Sequence, residues 1–123
     1  YLPVKFPESY KYWESDPGKL CIPGGESMVE FAKRISVATD DIIKKNKDKT
    51  ICIATHGTAI RVLLSIYYGK SLSDMVTLKW HDNASITIVE FDDSFSPSVK
   101  AEGDNTHLGK YSTLDKQTWW RKS

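Results

Sequence analysis

His56 and Gly57 stand where one short apolar run gives way directly to another, with TICIAT from Thr50 to Thr55 before them and TAIRVLLSIYY from Thr58 to Tyr68 after. A histidine at such a junction can donate a hydrogen bond or carry a proton, and a glycine lets backbone approach a ligand closely. The unpaired N–H groups at the start of a following helix favour an anion. Phosphate is the ligand that this combination suits best. Arg61, about one helical turn further on, either faces the same anion or pairs with an acid. From these residues alone, a histidine that merely satisfies hydrogen bonds at the end of a strand is an equally open reading.

The elements that must hold this junction can be read from hydrophobic period and punctuation. TICIAT is short, β-rich and almost wholly apolar, which predicts a strand covered on both faces. The run from Thr58 to Tyr68 is apolar nearly all round and stops at Gly69, which predicts a buried helix with a glycine just past its end. In α/β folds, ligands settle beyond the carboxyl ends of strands, where His56 and Gly57 fall. Upstream, Ser27-Met28-Val29-Glu30 has the form of a capping box, and Met28, Phe31, Ile35, Ala38 and Ile42 follow at helical spacing, so an amphipathic helix is predicted over about 28–46. Lys44, Lys45, Lys47 and Lys49 cluster at its end, where cations complement the helix dipole. Residues 1–25 hold four of the five prolines and no usable period, which predicts irregular chain. Ser71 to Asp74 reads as a short capped turn, Ala84 to Phe91 as a second strand, Asp92 to Pro97 as a turn and Val99 to Glu102 as a short edge strand. Asn83 opens the second strand as a turn residue. The last stretch has no period. Its Trp119 and Trp120 read as a tail folding back rather than a docking pair.

Composition narrows the function classes. Among 123 residues, 17 are Lys or Arg and 16 are Asp or Glu, giving a formal charge of +1, too balanced to recruit nucleic acid or an anionic membrane by field alone. Hydrophobic residues at 40% and charged ones at 27% are ordinary for a chain that folds. No apolar run approaches the roughly 20 residues of a membrane span, and the N-terminus lacks the pattern of a signal peptide. Cys21 and Cys52 are too few for a disulfide framework, so a reducing, cytoplasmic setting is expected. His56, His81 and His107 lack ligand spacing, so neither a metal nor another cofactor is implied.

In order along the chain occur Pro23-Gly24-Gly25-Glu26-Ser27, then Ile53-Ala54-Thr55-His56-Gly57-Thr58-Ala59-Ile60-Arg61, then Asn83-Ala84-Ser85-Ile86, and finally Asp104-Asn105-Thr106-His107-Leu108. This order resembles the C-terminal half of the histidine phosphatase superfamily, the phosphoglycerate mutase-like family, over roughly residues 10–108. The resemblance implies an α/β, three-layer phosphoglycerate mutase-like fold, with residues 1–123 as the C-terminal part of one domain. In that family a histidine of an Arg-His-Gly motif attacks the phosphoryl group, and a second histidine, matched here by His56, holds the phosphate in transfer. Gly57 and Thr58 then fall at the substrate, a phosphorylated small molecule. No Arg-His-Gly occurs in this chain.

The resemblance therefore implies phosphomonoester hydrolysis, or mutase-like phosphotransfer, by a parent protein in which this chain supplies the second active-site histidine and another segment supplies the nucleophile. Alone, the chain is expected to bind an anion without turnover, and Tyr1 looks like a start midway through the domain. The missing strand would come from the N-terminal half of the same domain or from a second copy of the chain. A non-catalytic phosphate-binding or interaction module is the rival. Glu26, beside a helix start, is expected to act locally on the helix dipole more readily than as a catalytic acid. His107 matches a family tail motif and is expected to be structural or at the pocket edge. His81 belongs to no motif and is expected at the surface or half-buried.

Overall fold

The computed structural model describes residues 2–113, which divide into two compact units between Lys79 and Trp80. Trp119 and Trp120 lie outside the described residues. The α-helices belong to the first unit and the two strands to the second, so the described residues contain both element types of the expected α/β class.

Residues 1–25 are not the irregular stretch that their prolines suggest. Helix α1 (Leu2–Lys5) and helix α2 (Pro7–Ser15) are followed by a 3-10 turn at Pro17–Lys19. Pro7 opens α2 and Pro17 opens the turn, at positions where a helix needs no N–H donor, so these residues start helical structure instead of breaking it. Pro23 and Gly24 then reverse the chain. Gly24 has φ +75°, the Gly25 N–H donates to the Ile22 carbonyl at 2.8 Å, and the Met28 N–H returns to the Leu20 carbonyl at 2.9 Å.

Helix α3 spans Met28–Lys45 and begins with the expected capping box. Ser27 Oγ accepts the Glu30 N–H at 3.2 Å, and Glu30 Oε2 accepts the Ser27 N–H at 2.8 Å. Its buried stripe is Met28, Ala32 and Thr39, with Phe31 and Ile35 half-buried; Ala38 and Ile42, expected on that face, are exposed. The expected positions repeat every 3.5 residues, and a straight helix of 3.6 residues per turn drifts away from that repeat.

The predicted strand over Thr50–Thr55 does not form. Residues 50–55 make no backbone-to-backbone hydrogen bond among the described residues, and Ile51 and Ile53 are 39% and 45% exposed. An apolar run signals a tendency to be covered, whereas a strand also needs a neighbour to complete its ladder, and no described strand pairs with this one. Helix α4 (Gly57–Tyr67) follows at once and buries Ala59, Arg61, Val62, Leu64 and Ser65, while Ile66 stays 40% exposed. It ends in a Schellman motif, with the Lys70 N–H on the Ser65 carbonyl, the Gly69 N–H on the Ile66 carbonyl and Gly69 at φ +64°. Val62, Leu64 and Met75, the last from a 3-10 turn at Ser73–Thr77, make the fully buried centre of this unit. That turn is capped as expected by Ser71 and Asp74, whose side chain and N–H groups bond reciprocally.

In the second unit, strand β1 (Ile86–Phe91) pairs antiparallel with strand β2 (Pro97–Asp104). The turn between them is built by Asp92, whose Oδ1 accepts the Ser94 and Ser96 N–H groups, each at 2.9 Å. No helix among the described residues is long and apolar enough to cross a membrane.

Candidate functional site

His56 is the residue before the first turn of α4. Its carbonyl accepts the Ile60 N–H at 3.1 Å, its own backbone is extended (φ −109°, ψ 155°), and its exposed side chain makes no capping bond. The ring is thus held at the mouth of the helix by backbone and left available for a ligand. Gly57 and Thr58 occupy the first two helical positions, whose N–H groups have no acceptor within a helix and sit at the positive end of its dipole. The arrangement offers at least two backbone donors and one imidazole to an anion.

A cavity of about 240 Å³ opens beside Thr58. Its polar edge is Glu26, Ser27 and Thr58, and its walls are Trp13, Leu20, Ile22, Met28 and Phe31. The reversal at Pro23 and Gly24, together with the capping box of α3, delivers Glu26 and Ser27 to this place. Glu26 does not serve the helix dipole alone. Arg34, two turns along α3, grips its carboxylate in a fork, Nη2 to Oε1 at 2.5 Å and Nε to Oε2 at 3.1 Å. That guanidinium holds the Glu26 carboxyl below its ordinary range, which suits a fixed negative charge better than a proton donor.

Arg61 does not line the cavity beside Thr58. Its side chain is buried, and Nη2 donates to the Met75 carbonyl at 2.5 Å and to the Leu78 carbonyl at 3.1 Å. The sequence spacing placed it one turn from His56 but gave no sign that the chain after Gly69 turns its carbonyls toward it. His107 belongs to the second unit, where Nε2 meets the Ala84 carbonyl at 3.1 Å and ties the 3-10 turn Thr106–Tyr111 to the approach to β1. His81 is half-buried, as expected. Its side chain is 7% exposed, its Nε2 lies 3.0 Å from Glu102 Oε1, and its ring packs on Gly103.

Sequence reasoning missed Asp82. This carboxylate accepts the Ser112 hydroxyl in a very short hydrogen bond, the Thr113 hydroxyl at 2.7 Å, the Thr113 N–H at 2.9 Å and the Asn105 side-chain amide at 3.4 Å. The Ser112 hydroxyl first, and then the Thr113 groups, hold its carboxyl well below the usual carboxylate range. Its donors lie in irregular chain some 23 to 31 residues away, where no period or motif marks them.

Known proteins place these observations in context. A family model for the histidine phosphatase superfamily (branch 1) matches residues 2–104. Phosphoserine phosphatase 1 of Hydrogenobacter thermophilus is 24% identical over 107 residues, covering 87% of this chain and 50% of that protein. A metal-independent phosphoserine phosphatase of Arabidopsis thaliana is 31% identical over 114 residues, covering 91% of this chain and 45% of that protein. The chain thus spans about half the length of these relatives. Among solved structures, YhfR of Bacillus stearothermophilus superposes with a TM-score of 0.81 at 22% identity, over 87% of this chain and 52% of that one. The backbone likeness and the match through residues 2–104 agree with the resemblance carried by the PGGES turn and the His56 junction, and the chain belongs to branch 1 of the histidine phosphatase superfamily.

Proposed function

We propose that this chain forms the phosphate-holding, C-terminal part of one phosphohistidine-type phosphomonoesterase domain with the three-layer phosphoglycerate mutase-like fold. His56 is the second active-site histidine. The observation that carries this reading is the exposed His56 ring at the mouth of helix α4, with the Gly57 and Thr58 N–H groups beside it. In this reading the ring N–H and the two backbone N–H groups hold the non-bridging oxygens of the phosphoryl group. Each of the two transfers, from ester to histidine and from histidine to water, needs such a cradle and an in-line nucleophile. This sequence has no Arg-His-Gly to serve as that nucleophile. The N-terminal half of the same domain, or a second copy of the chain, supplies the rest and covers the exposed residues 50–55. The substrate is a phosphorylated small molecule, and the relatives' names make O-phosphoserine the first reference compound.

The missing motif also favours a second reading, a module that binds phosphate without catalysis. Two measurements on the chain as it stands test both. Inorganic phosphate is expected to shift the amide signals of His56, Gly57 and Thr58, with His56→Ala weakening the binding, and p-nitrophenyl phosphate is expected to turn over no faster than background. Turnover that His56→Ala abolishes would overturn the division of labour. An anion that binds elsewhere would overturn the site itself. Restoration of turnover by added N-terminal half would decide for the enzyme over the bare binding module.

A further inference from the structure

We propose that Arg34 is a positioning residue for the anion site: it acts through Glu26, cancelling a carboxylate that otherwise faces the bound phosphoryl group. The inference rests on the anion site just proposed at His56, Gly57 and Thr58. Glu26 and Thr58 line one cavity, so the Glu26 carboxylate and the positive mouth of α4 open onto the same space. Arg34 does not line that cavity. It reaches Glu26 from α3 through Nε and Nη2, and its guanidinium carbon lies 5.2 Å from the centre of the Phe31 ring, which is itself a wall of the cavity. The cation is thus held by two partners, the carboxylate fork and the aromatic face.

Two acids stand at the start of α3, and only one cation answers them there. Arg34 holds the Glu26 carboxyl below its ordinary range against the opposing charge of Glu30, so Glu26 is a standing negative charge at neutral pH. Glu30 is committed elsewhere, to the Ser27 N–H and hydroxyl. A phosphoryl group brings between one and two further negative charges to the same space. Unit charges roughly 10 Å apart in water interact strongly enough to change an affinity about twofold, so a bare Glu26 facing a phosphate dianion weakens binding about two- to fivefold at low ionic strength. Charge and bracing predict opposite signs. A fork that only braced the PGGES turn would make the loss of either partner weaken anion binding, whereas a charge that Arg34 cancels makes loss of Glu26 strengthen it.

The test titrates the full chain with inorganic phosphate near neutral pH in low salt and follows the Gly57 and Thr58 amides by NMR. Arg34→Met is expected to weaken binding about two- to fivefold and Glu26→Gln to tighten it by a similar factor. Arg34→Lys, which keeps the charge and loses the fork, should stay close to the parent, and the double variant Glu26→Gln with Arg34→Met should return to it. All these differences should fade in about 0.5 M salt, where exposed charges are screened within a few ångströms. Weaker binding by both single variants, with the double variant no better than Arg34→Met, would make the fork a brace and overturn this proposal while the anion site stands. Parental affinity in Arg34→Met would do the same. If inorganic phosphate left Gly57 and Thr58 unmoved in the parent chain, the anion site would fall and this role of Arg34 with it.

Discussion

Arg61→Met separates a buried strut from a phosphate ligand. Methionine keeps most of the apolar stem and removes the guanidinium, so the packing around Val62 and Leu64 is largely preserved. The charge-assisted hydrogen bonds to the Met75 and Leu78 carbonyls are lost. The two losses are not alike, because the Met75 carbonyl keeps the Leu78 N–H at 3.1 Å. Each such bond is worth about 1.5–3 kcal/mol, and part of the sum is offset because a desolvated cation has been removed. The net expectation is a loss of about 2–4 kcal/mol, read as a fall of roughly 10 °C in Tm for a chain of this size. Urea denaturation gives the free energy, and a phosphate titration run well below the transition gives the affinity of the folded fraction. The reasoning requires a large loss of stability with anion affinity unchanged. A variant as stable as the parent that binds phosphate tenfold more weakly would return Arg61 to the site and refute its assignment as a strut.

Two further predictions concern the second unit. Because the Asp82 carboxyl is depressed below its ordinary value when folded, its contribution is complete at neutral pH and is lost as pH falls below about 4 toward the folded value; Asp82→Asn should therefore lower stability at pH 7 and flatten its fall in acid, and an unchanged acid limb would contradict the role. Gly103 has φ +61°, and a Cβ there would lie 2.7 Å from His81 Cδ2, so Gly103→Ala should destabilise by about 2–4 kcal/mol, falling to roughly 1–2 kcal/mol, the backbone's share, when measured against His81→Ala. Additive effects in that double-mutant cycle would show that the ring and the glycine do not meet.

Local chemistry was legible in the sequence where a side-chain cap or a glycine marks the turn it closes, and was missed over residues 1–25, where prolines that open helical turns read as breakers. The Ser27 and Glu30 capping box, the glycine after α4, the Ser71 cap and the Asp92 reversal each join residues no more than five apart, and each stands where expected. Burial by periodicity carried α3 and α4 to within a residue or two of their ends. The other failures needed a partner at a distance. TICIAT has the composition of a central strand, but no residue inside it names the strand that would pair with it. Arg61 and Asp82 find their partners on carbonyls and hydroxyls of irregular chain, groups that every sequence contains and none advertises. The PGGES turn and the His56 junction were legible for another reason, since a close backbone reversal and a helix mouth both restrict which residues fit.

The stretch from 50 to 55 also governs how the isolated chain will behave in a tube. Backbone donors and acceptors that satisfy nothing locally, flanked by Ile51 and Ile53 on show, are a template onto which an identical stretch can add. Lys47 and Lys49 stand immediately before it, in the place where gatekeeping charges discourage such stacking through mutual repulsion. Salt screens that repulsion while leaving the apolar attraction in place. Ionic strength thus becomes a control on colloidal stability: dilute, low-salt solution keeps copies apart, and concentrated salt removes the charge barrier to their growth into strands.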